Sequence, residues 1–201
     1  MKTMVDMFSG LGGASESFFQ SKDWVVWRYD NNPLLKDVPA SIISDYMFQF
    51  VVNGHEGKEI NLLWASPPCT DFSGGYASPK SKHSRIKGKK EKYSPDLTLL
   101  KKTIETIDIV KPKTWVIENV VGAIKYFEPL LGKPTQIIGS VVLWGNFPLL
   151  SLPADFKELK KHKDKGSKNP LRSNYRAIIP FEISDELRKT LQYQKTLGEY
   201  L

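Results

Sequence analysis

Four short apolar runs set the limits on what this chain can fold into. Residues 3–8, 24–29, 60–65 and 115–117 are strand-length and mostly apolar or aromatic, as strands covered on both faces are. Each stops at a polar or turn-forming group: Ser9-Gly10-Leu11-Gly12-Gly13, Asp30-Asn31-Asn32-Pro33, Ser66-Pro67-Pro68-Cys69 and Glu118-Asn119-Val120. The intervening segments carry helical signals. Residues 14–20 read as a helix start. Residues 96–110 repeat Leu97, Leu100, Ile104 and Ile107 at helical spacing, with Ser94-Pro95 as a start signal and Lys111-Pro112-Lys113 as a stop. Residues 40–54 are mixed. This alternation predicts an α/β fold with a doubly wound, mostly parallel sheet and helices on both faces. Residues 136–143 read as a further strand. The pattern degrades after residue 150, and residues 184–191 read as a closing helix capped by Ser184.

The chain has 201 residues, 40% of them hydrophobic, enough for one sizeable core. Residues 1–150 are expected to form the main domain, and 151–201 a short basic closing segment rather than an independent domain. No stretch approaches the length of a membrane span, and the first residues already read as a strand rather than a signal region. One cysteine excludes both an intrachain disulfide and a multi-cysteine zinc site. A reducing, cytoplasmic compartment is the expectation.

That cysteine is the sharpest chemical feature. Pro67 and Pro68 cannot both sit inside a helix or a central strand. Cys69 therefore falls just past a strand end, on a stiff turn, where α/β proteins display reactive groups. Two readings stand at this point: a nucleophile, or a buried core thiol.

The formal charge of +7 is concentrated in two stretches. Within 74–95, Lys80, Lys82, Arg85, Lys87, Lys89, Lys90 and Lys92 face only Glu91. Within 157–176, Lys157, Lys160, Lys161, Lys163, Lys165, Lys168, Arg172 and Arg176 face Glu158 and Asp164. The rest of the chain is net acidic. Two basic segments on an acidic body fit a polyanion held at two places; a pair of solvated loops has the same composition.

Three strand ends carry chemistry: Asp6-Met7-Phe8-Ser9-Gly10-Leu11-Gly12-Gly13, Pro67-Pro68-Cys69-Thr70-Asp71-Phe72-Ser73, and Lys111-Pro112-Lys113 through Glu118-Asn119-Val120-Val121-Gly122. In a doubly wound sheet such ends converge on one edge. In this order and at these separations the three segments resemble the cytosine-C5 DNA methyltransferase family, over roughly residues 1–150. The resemblance implies the Rossmann-like fold of S-adenosylmethionine-dependent methyltransferases. It implies a Cys69 thiolate that adds to cytosine C6, a Glu118 that holds or protonates N3, and an Asn119 that supports the loop carrying Glu118. The methyl group would come from S-adenosylmethionine, and the target base would be flipped out of double-stranded DNA.

By the same resemblance, Phe8 packs near the adenine or sulfonium. Ser9, Gly10, Leu11 and Gly12, with Asp6 and Gly13 beside them, cradle the methionine part. Asp30 binds the ribose, Asn31 lies beside the adenine, and Pro67 borders the cofactor. Asp45 resembles the acceptor for the adenine amino group, with a surface aspartate or helix cap as the other reading. The stretch 73–95 resembles a mobile loop that closes on DNA. Ser73 through Ser78 would fill the hole left by the base, and Lys80, Lys82, Arg85, Lys87, Lys89 and Lys90 would bind phosphates; Arg172 and Arg176 are later candidates.

The chain departs from the family pattern after Glu118-Asn119-Val120. Residues 136–140 lack the usual arginine, the usual C-terminal Gly-Asn motif is missing, and little chain remains for target recognition. The runs at 144–148 and 176–180 resemble small bacteriophage methyltransferases. The expectations are therefore an active DNA cytosine-C5 methyltransferase of restriction-modification or phage type, with a minimal recognition element or a protein partner that supplies one. The same scaffold acting on RNA, transferring another group, or only binding nucleic acid is the alternative.

Overall fold

The computed structural model describes residues 1–74, 78–87, 93–153, 156 and 168–198, without the side chains of 87 and 193–198. Lys89, Lys90, Lys92 and Lys157 to Lys165 lie outside the described residues.

The elements run β1 (Lys2–Met7), α1 (Glu16–Gln20), β2 (Trp24–Asp30), β3 (Ser41–Ile43), α2 (Met47–Gly54), β4 (Leu62–Ala65) and α3 (Pro79–Lys87). They continue with α4 (Thr98–Val110), β5 (Thr114–Val120), α5 (Ile124–Leu131), β6 (Gln136–Ile138), β7 (Val141–Gly145), α6 (Arg172–Arg176) and α7 (Phe181–Gly198). Among the described residues, seven strands form one sheet in the order β3-β2-β1-β4-β5-β7-β6. The first five are parallel, and β7 runs antiparallel between β5 and β6.

The twofold repeat of a strand sorts side chains to two faces. Met4, Leu62, Trp64 and Val116 point to one, where α1 and α7 bring Phe18, Ile183 and Leu187. Val5, Met7, Leu63 and Ala65 point to the other, against Met47 and Val51 of α2. A third cluster joins Leu100, Ile117, Phe127 and Trp144 under α4 and α5. Every side chain of β4 is buried, which is why its four residues read as an unbroken apolar run.

Several boundaries differ from the sequence reading. Glu118, Asn119 and Val120 lie inside β5, not after it, because β7 continues the ladder to Val120 opposite Val141. Residues 136–143 are two strands, with Gly139 at φ 59° turning the chain so that Ile138 pairs with Val141. Helix α4 begins at Thr98, where Asp96 Oδ1 accepts from the Thr98 amide (2.8 Å), rather than at Ser94-Pro95. Ser184 is not a cap. Helix α7 starts three residues earlier, with the Pro180 carbonyl accepting from Ile183 N, and Ser184 is buried where its Oγ accepts from Ser17 N. The stretch 73–95 is not loop throughout. Ser78 caps α3 by accepting from Ser81 N (3.2 Å), and Pro79 occupies the first helical position. No helix among the described residues is long and apolar enough to cross a membrane.

Asn146 closes the β5–β7 end of the sheet. Its Oδ1 accepts from Trp115 N (2.6 Å) and its Nδ2 donates to the Lys113 carbonyl (3.0 Å). Asn146→Ala removes both and is expected to lower stability by about 1–2 kcal/mol. Urea unfolding monitored by tryptophan fluorescence would read the loss as a lower midpoint at unchanged slope.

Candidate active site at the carboxyl edge of the sheet

Register brings the chemistry-bearing strand ends to one level. Met7 is paired with Tyr29 of β2 and with Ala65 of β4, and Ala65 with Ile117 of β5. The next residues along the four strands are therefore neighbours across the edge: Asp30, Phe8, Ser66 and Glu118. Backbone bonds from Ser9 N to the Tyr29 carbonyl and from Ser66 N to the Met7 carbonyl (both 3.1 Å) carry the alignment past the strands themselves.

The turn after β1 is wound by positive φ angles at Phe8 (59°), Gly10 (54°) and Gly12 (78°). Gly10 N donates to Asp30 Oδ2 and Asn32 N to Asp30 Oδ1, both at 2.9 Å. The carboxylate thus holds the turn and keeps further lone pairs to accept from hydroxyls. Phe8 meets Phe48 edge-to-face at 5.9 Å. Asn31 is exposed; Leu11 and Gly13 are half-buried. Asp6 and Ser9 are buried, and among the described residues Asp6 Oδ1 and Ser9 Oγ have no hydrogen-bond partner. Buried polar atoms are nearly always satisfied, so two such atoms flanking the glycine turn fit a polar ligand. Asp6 Oδ2 accepts from Ser15 Oγ (2.6 Å). Burial pushes the Asp6 carboxyl up to about 7, against the lowering effects of Ser15 and Arg28.

Cys69 is half-buried. Its carbonyl accepts from Phe72 N (3.1 Å) and Ser73 N (3.0 Å), which coils the chain into a turn behind the thiol. Asn119 ties this turn to β5. Its Nδ2 donates to the Pro67 carbonyl (2.9 Å), and its Oδ1 accepts from Val120 N (3.0 Å). The Asn119 side chain is 1% exposed, so its hydrogen bonds work in a low-dielectric setting. A second tie is steric. A Cβ on Gly122 would lie 2.1 Å from the Phe72 carbonyl oxygen, so only glycine lets the two segments meet. Phe72 is buried edge-to-face on Phe127 at 5.1 Å. Glu118 is half-buried opposite Leu143. The expected set is therefore brought to one edge, with the Cys69 turn and the Glu118 strand joined directly.

Other expected residues fall further out. Asp45 is exposed in the connection between β3 and α2. It does not cap α2, whose N-cap is Tyr46 with no side-chain cap bond. Ser73 is half-buried and its Oγ donates to the Thr70 carbonyl (3.3 Å). Lys82 and Arg85 are exposed on α3, Lys80 is half-buried, and Pro67 is buried. Arg172 and Arg176 are on α6, which lies beside the glycine turn: a Cβ on Gly10 would be 3.5 Å from Asn174 Nδ2. Sequence reasoning missed Asn174, Ser15 and Arg28. It also missed how the end of the chain packs on the turn. A Cβ on Gly13 would lie 2.7 Å from the Ile179 carbonyl, and α7 packs along α1.

A model of C-5 cytosine-specific DNA methylases matches residues 2–128, which include the glycine turn, Cys69, Glu118 and Asn119. The chain belongs to this family. It is 25% identical over 154 residues to mouse DNA (cytosine-5)-methyltransferase 1, covering 65% of this chain and 9% of that protein. It is 26% identical over 118 residues to the probable DNA (cytosine-5)-methyltransferase of Frog virus 3 (isolate Goorha), covering 58% of this chain and 52% of that protein. The chain thus spans about half of the viral relative and a small part of the mouse one. Among solved structures, it is similar to a chain assigned as a DNA modification methyltransferase, encoded within an E. coli prophage (15% identity, TM-score 0.44, 72% of this chain and 46% of that one). It is also similar to the Entamoeba histolytica methyltransferase EhMeth (22% identity, TM-score 0.39, 61% and 39%). The family and the strand order agree on the Rossmann-like sheet of S-adenosylmethionine-dependent methyltransferases.

Two outcomes test this geometry. Gly122→Ala must push the Phe72 carbonyl away, and is expected to cost about 1–3 kcal/mol by overpacking; chemical denaturation measures it. The second concerns Asp6. Its folded-state value, about 7, lies above the ordinary 3.8, so the folded chain holds this proton more tightly than the unfolded one. The stabilisation from Asp6 is complete below about pH 3.8 and is lost as pH rises through about 7. Asp6→Asn should flatten the fall in stability across that window in urea titrations at stepped pH. An unchanged slope would assign the fall to other groups.

Proposed function

We propose that this chain is a DNA cytosine-C5 methyltransferase that uses Cys69 as a covalent nucleophile and S-adenosylmethionine as the methyl donor. The observation that supports it most is the direct linkage of the Cys69 turn to the Glu118 strand through Asn119 and Gly122, on the same edge as the glycine turn. Cytosine C5 is too weak a nucleophile to take a methyl group unaided. Addition of Cys69 Sγ to C6 places an electron pair at C5, and a proton held between Glu118 and N3 keeps negative charge from building on the ring. Asn119 ties the Cys69 turn to the Glu118 strand, so the two groups are presented to the base together. S-adenosylmethionine, when bound, supplies an electrophilic methyl group and leaves as S-adenosylhomocysteine. Loss of the C5 proton to solvent, return of the N3 proton to Glu118 and expulsion of the Cys69 thiolate then restore the aromatic ring and the enzyme.

The turn from Ser9 through Gly10, Leu11 and Gly12 to Gly13 lets the methionine part approach the backbone closely, with the Ser9, Gly10 and Gly12 amides holding the turn itself, and Asp30 accepts from ribose hydroxyls. The orphaned Asp6 Oδ1 and Ser9 Oγ fit the same ligand. The target base must leave the duplex to reach Cys69. Lys80, Lys82 and Arg85 on α3, a few residues beyond the Cys69 turn, then grip phosphates, with Arg172 and Arg176 as a second grip. A protein partner that adds a recognition surface is compatible with a chain that spans about half of its viral relative.

The deciding experiment is expression in a bacterium lacking cytosine methylation, followed by mass analysis of nucleosides from its DNA. 5-Methylcytosine is expected with the wild type and none with Cys69→Ala. Unmodified DNA with both would sink the reading for the chain acting alone; a different added mass would change the donor. Replacing Lys80, Lys82 and Arg85 by Gln is expected to weaken duplex binding and to reduce its salt slope by roughly 0.9 for each phosphate that is no longer neutralised. A salt titration of binding anisotropy reads this directly.

A further inference from the structure

Arg28 sits on β2, two residues before Asp30, and is 1% exposed. A buried guanidinium is costly unless its donors are used and its charge is paired. Here Nε donates to Ser15 Oγ (2.8 Å) and Nη1 to the Pro39 carbonyl (3.1 Å). Nη2 donates to Glu16 Oε2 (2.8 Å) and to the Gly12 carbonyl (3.3 Å). Ser15 Oγ passes the chain of bonds on to Asp6 on β1, and the Phe19 ring covers the group with its centroid 4.9 Å from Cζ. The guanidinium lies directly against Gly12: a Cβ there would be 2.5 Å from Arg28 Cζ.

One side chain therefore links β1, the glycine turn, the start of α1 and the connection between β2 and β3. The turn needs such a brace. Phe8, Gly10 and Gly12 all have positive φ, and at Phe8 this carries a steric penalty. Glycine also brings the greatest freedom in the unfolded chain. Asp30 ties the turn from one side at Gly10; Arg28 ties it from the other at Gly12.

We infer that Arg28 is a positioning residue for the cofactor turn, fixing the Gly12 carbonyl and so the course of the backbone from Ser9 to Gly13. The inference rests on the proposed use of this turn for S-adenosylmethionine. Arg28 is buried and acts through the turn, so its effect falls on cofactor affinity and not on DNA. Lysine at this position keeps the charge but loses the planar fork that reaches Gly12, Ser15, Glu16 and Pro39 together.

The test compares the full chain with Arg28→Lys, Arg28→Met and Glu16→Gln. Calorimetry measures binding of S-adenosylmethionine and S-adenosylhomocysteine, anisotropy measures binding of a cytosine-containing duplex, and thermal melting checks the fold. Arg28→Lys and Arg28→Met are expected to weaken cofactor binding by about tenfold or more through lost preorganisation, with duplex affinity within about twofold of wild type on the same reasoning. Glu16→Gln, which loosens one anchor at a half-exposed site, should weaken cofactor binding by a few-fold. A folded Arg28→Lys protein with wild-type cofactor affinity overturns the inference, as does a parallel loss of cofactor and duplex binding. Should both Arg28 variants fail to fold, Glu16→Gln decides: unchanged cofactor affinity overturns it. Failure of the wild type to bind either cofactor form overturns the cofactor reading itself, and this inference with it.

Discussion

Parallel register is the constraint on which the site depends. Strands β2, β1, β4 and β5 are locked side by side by peptide hydrogen bonds, so Asp30, Phe8, Ser66 and Glu118 emerge at one height. Slipping one strand by a single residue would turn its side chains to the opposite face and bury the wrong set. The apolar packing on both faces of the sheet forbids that slip. The core thus fixes the heights of a glycine turn, a thiol-bearing turn and a carboxylate drawn from distant parts of the chain. Helices and loops then only need to shape what the edge already presents.

Two kinds of tie convert shared height into a site. On the β4–β5 side the tie is Asn119, whose amide spans from β5 to the Pro67 carbonyl, backed by the bare surface of Gly122. On the β1–β2 side it is charge: Asp30 at Gly10, and Arg28 at Gly12. Asn119 and Arg28 are withdrawn from water and Asp30 partly so, and burying polar groups of this kind has a desolvation cost. Asp6 shows the cost most plainly. It is buried with one oxygen unsatisfied, and its carboxyl is pushed up to about 7. Strongly perturbed carboxyl groups cluster at functional sites, and this one lies at the sheet edge beside the glycine turn.

The sheet was legible because its strands are covered on both faces. Continuous runs such as Leu62–Ala65 have one physical interpretation when turn formers flank them. Strand ends were less legible, since β5 runs on to Val120 only because β7, an antiparallel partner from about 20 residues later, extends the ladder. Capping misled in one place and went unused in another. Ser184 reads as a cap but is buried inside α7, whereas Ser78-Pro79 is a true start signal hidden within a lysine-rich stretch. Of the site, Cys69, Glu118 and the glycine turn announce themselves through residue type and neighbours. Arg28 does not, because a lone arginine in an apolar strand has no local signature. Its partners at Gly12, Ser15, Glu16 and Pro39 meet it only in three dimensions.

The C-terminal segment follows the same logic. Its sequence offers basic residues and the short run at 176–180 but no sign of contact with the glycine turn, yet it packs directly against that turn. The Ile179 backbone packs where any side chain on Gly13 would sit, Asn174 approaches Gly10, and α7 lies along α1. Gly12 and Gly13 are therefore pressed from two sides, by Arg28 and by Ile179. That accounts for glycine at both positions even though only Gly12 has a positive φ. A turn held between a buried guanidinium and a returning backbone has little room to relax. Its shape is set by Arg28 and Ile179 together with its own glycines, so this segment shapes the sheet edge through packing rather than through a motif.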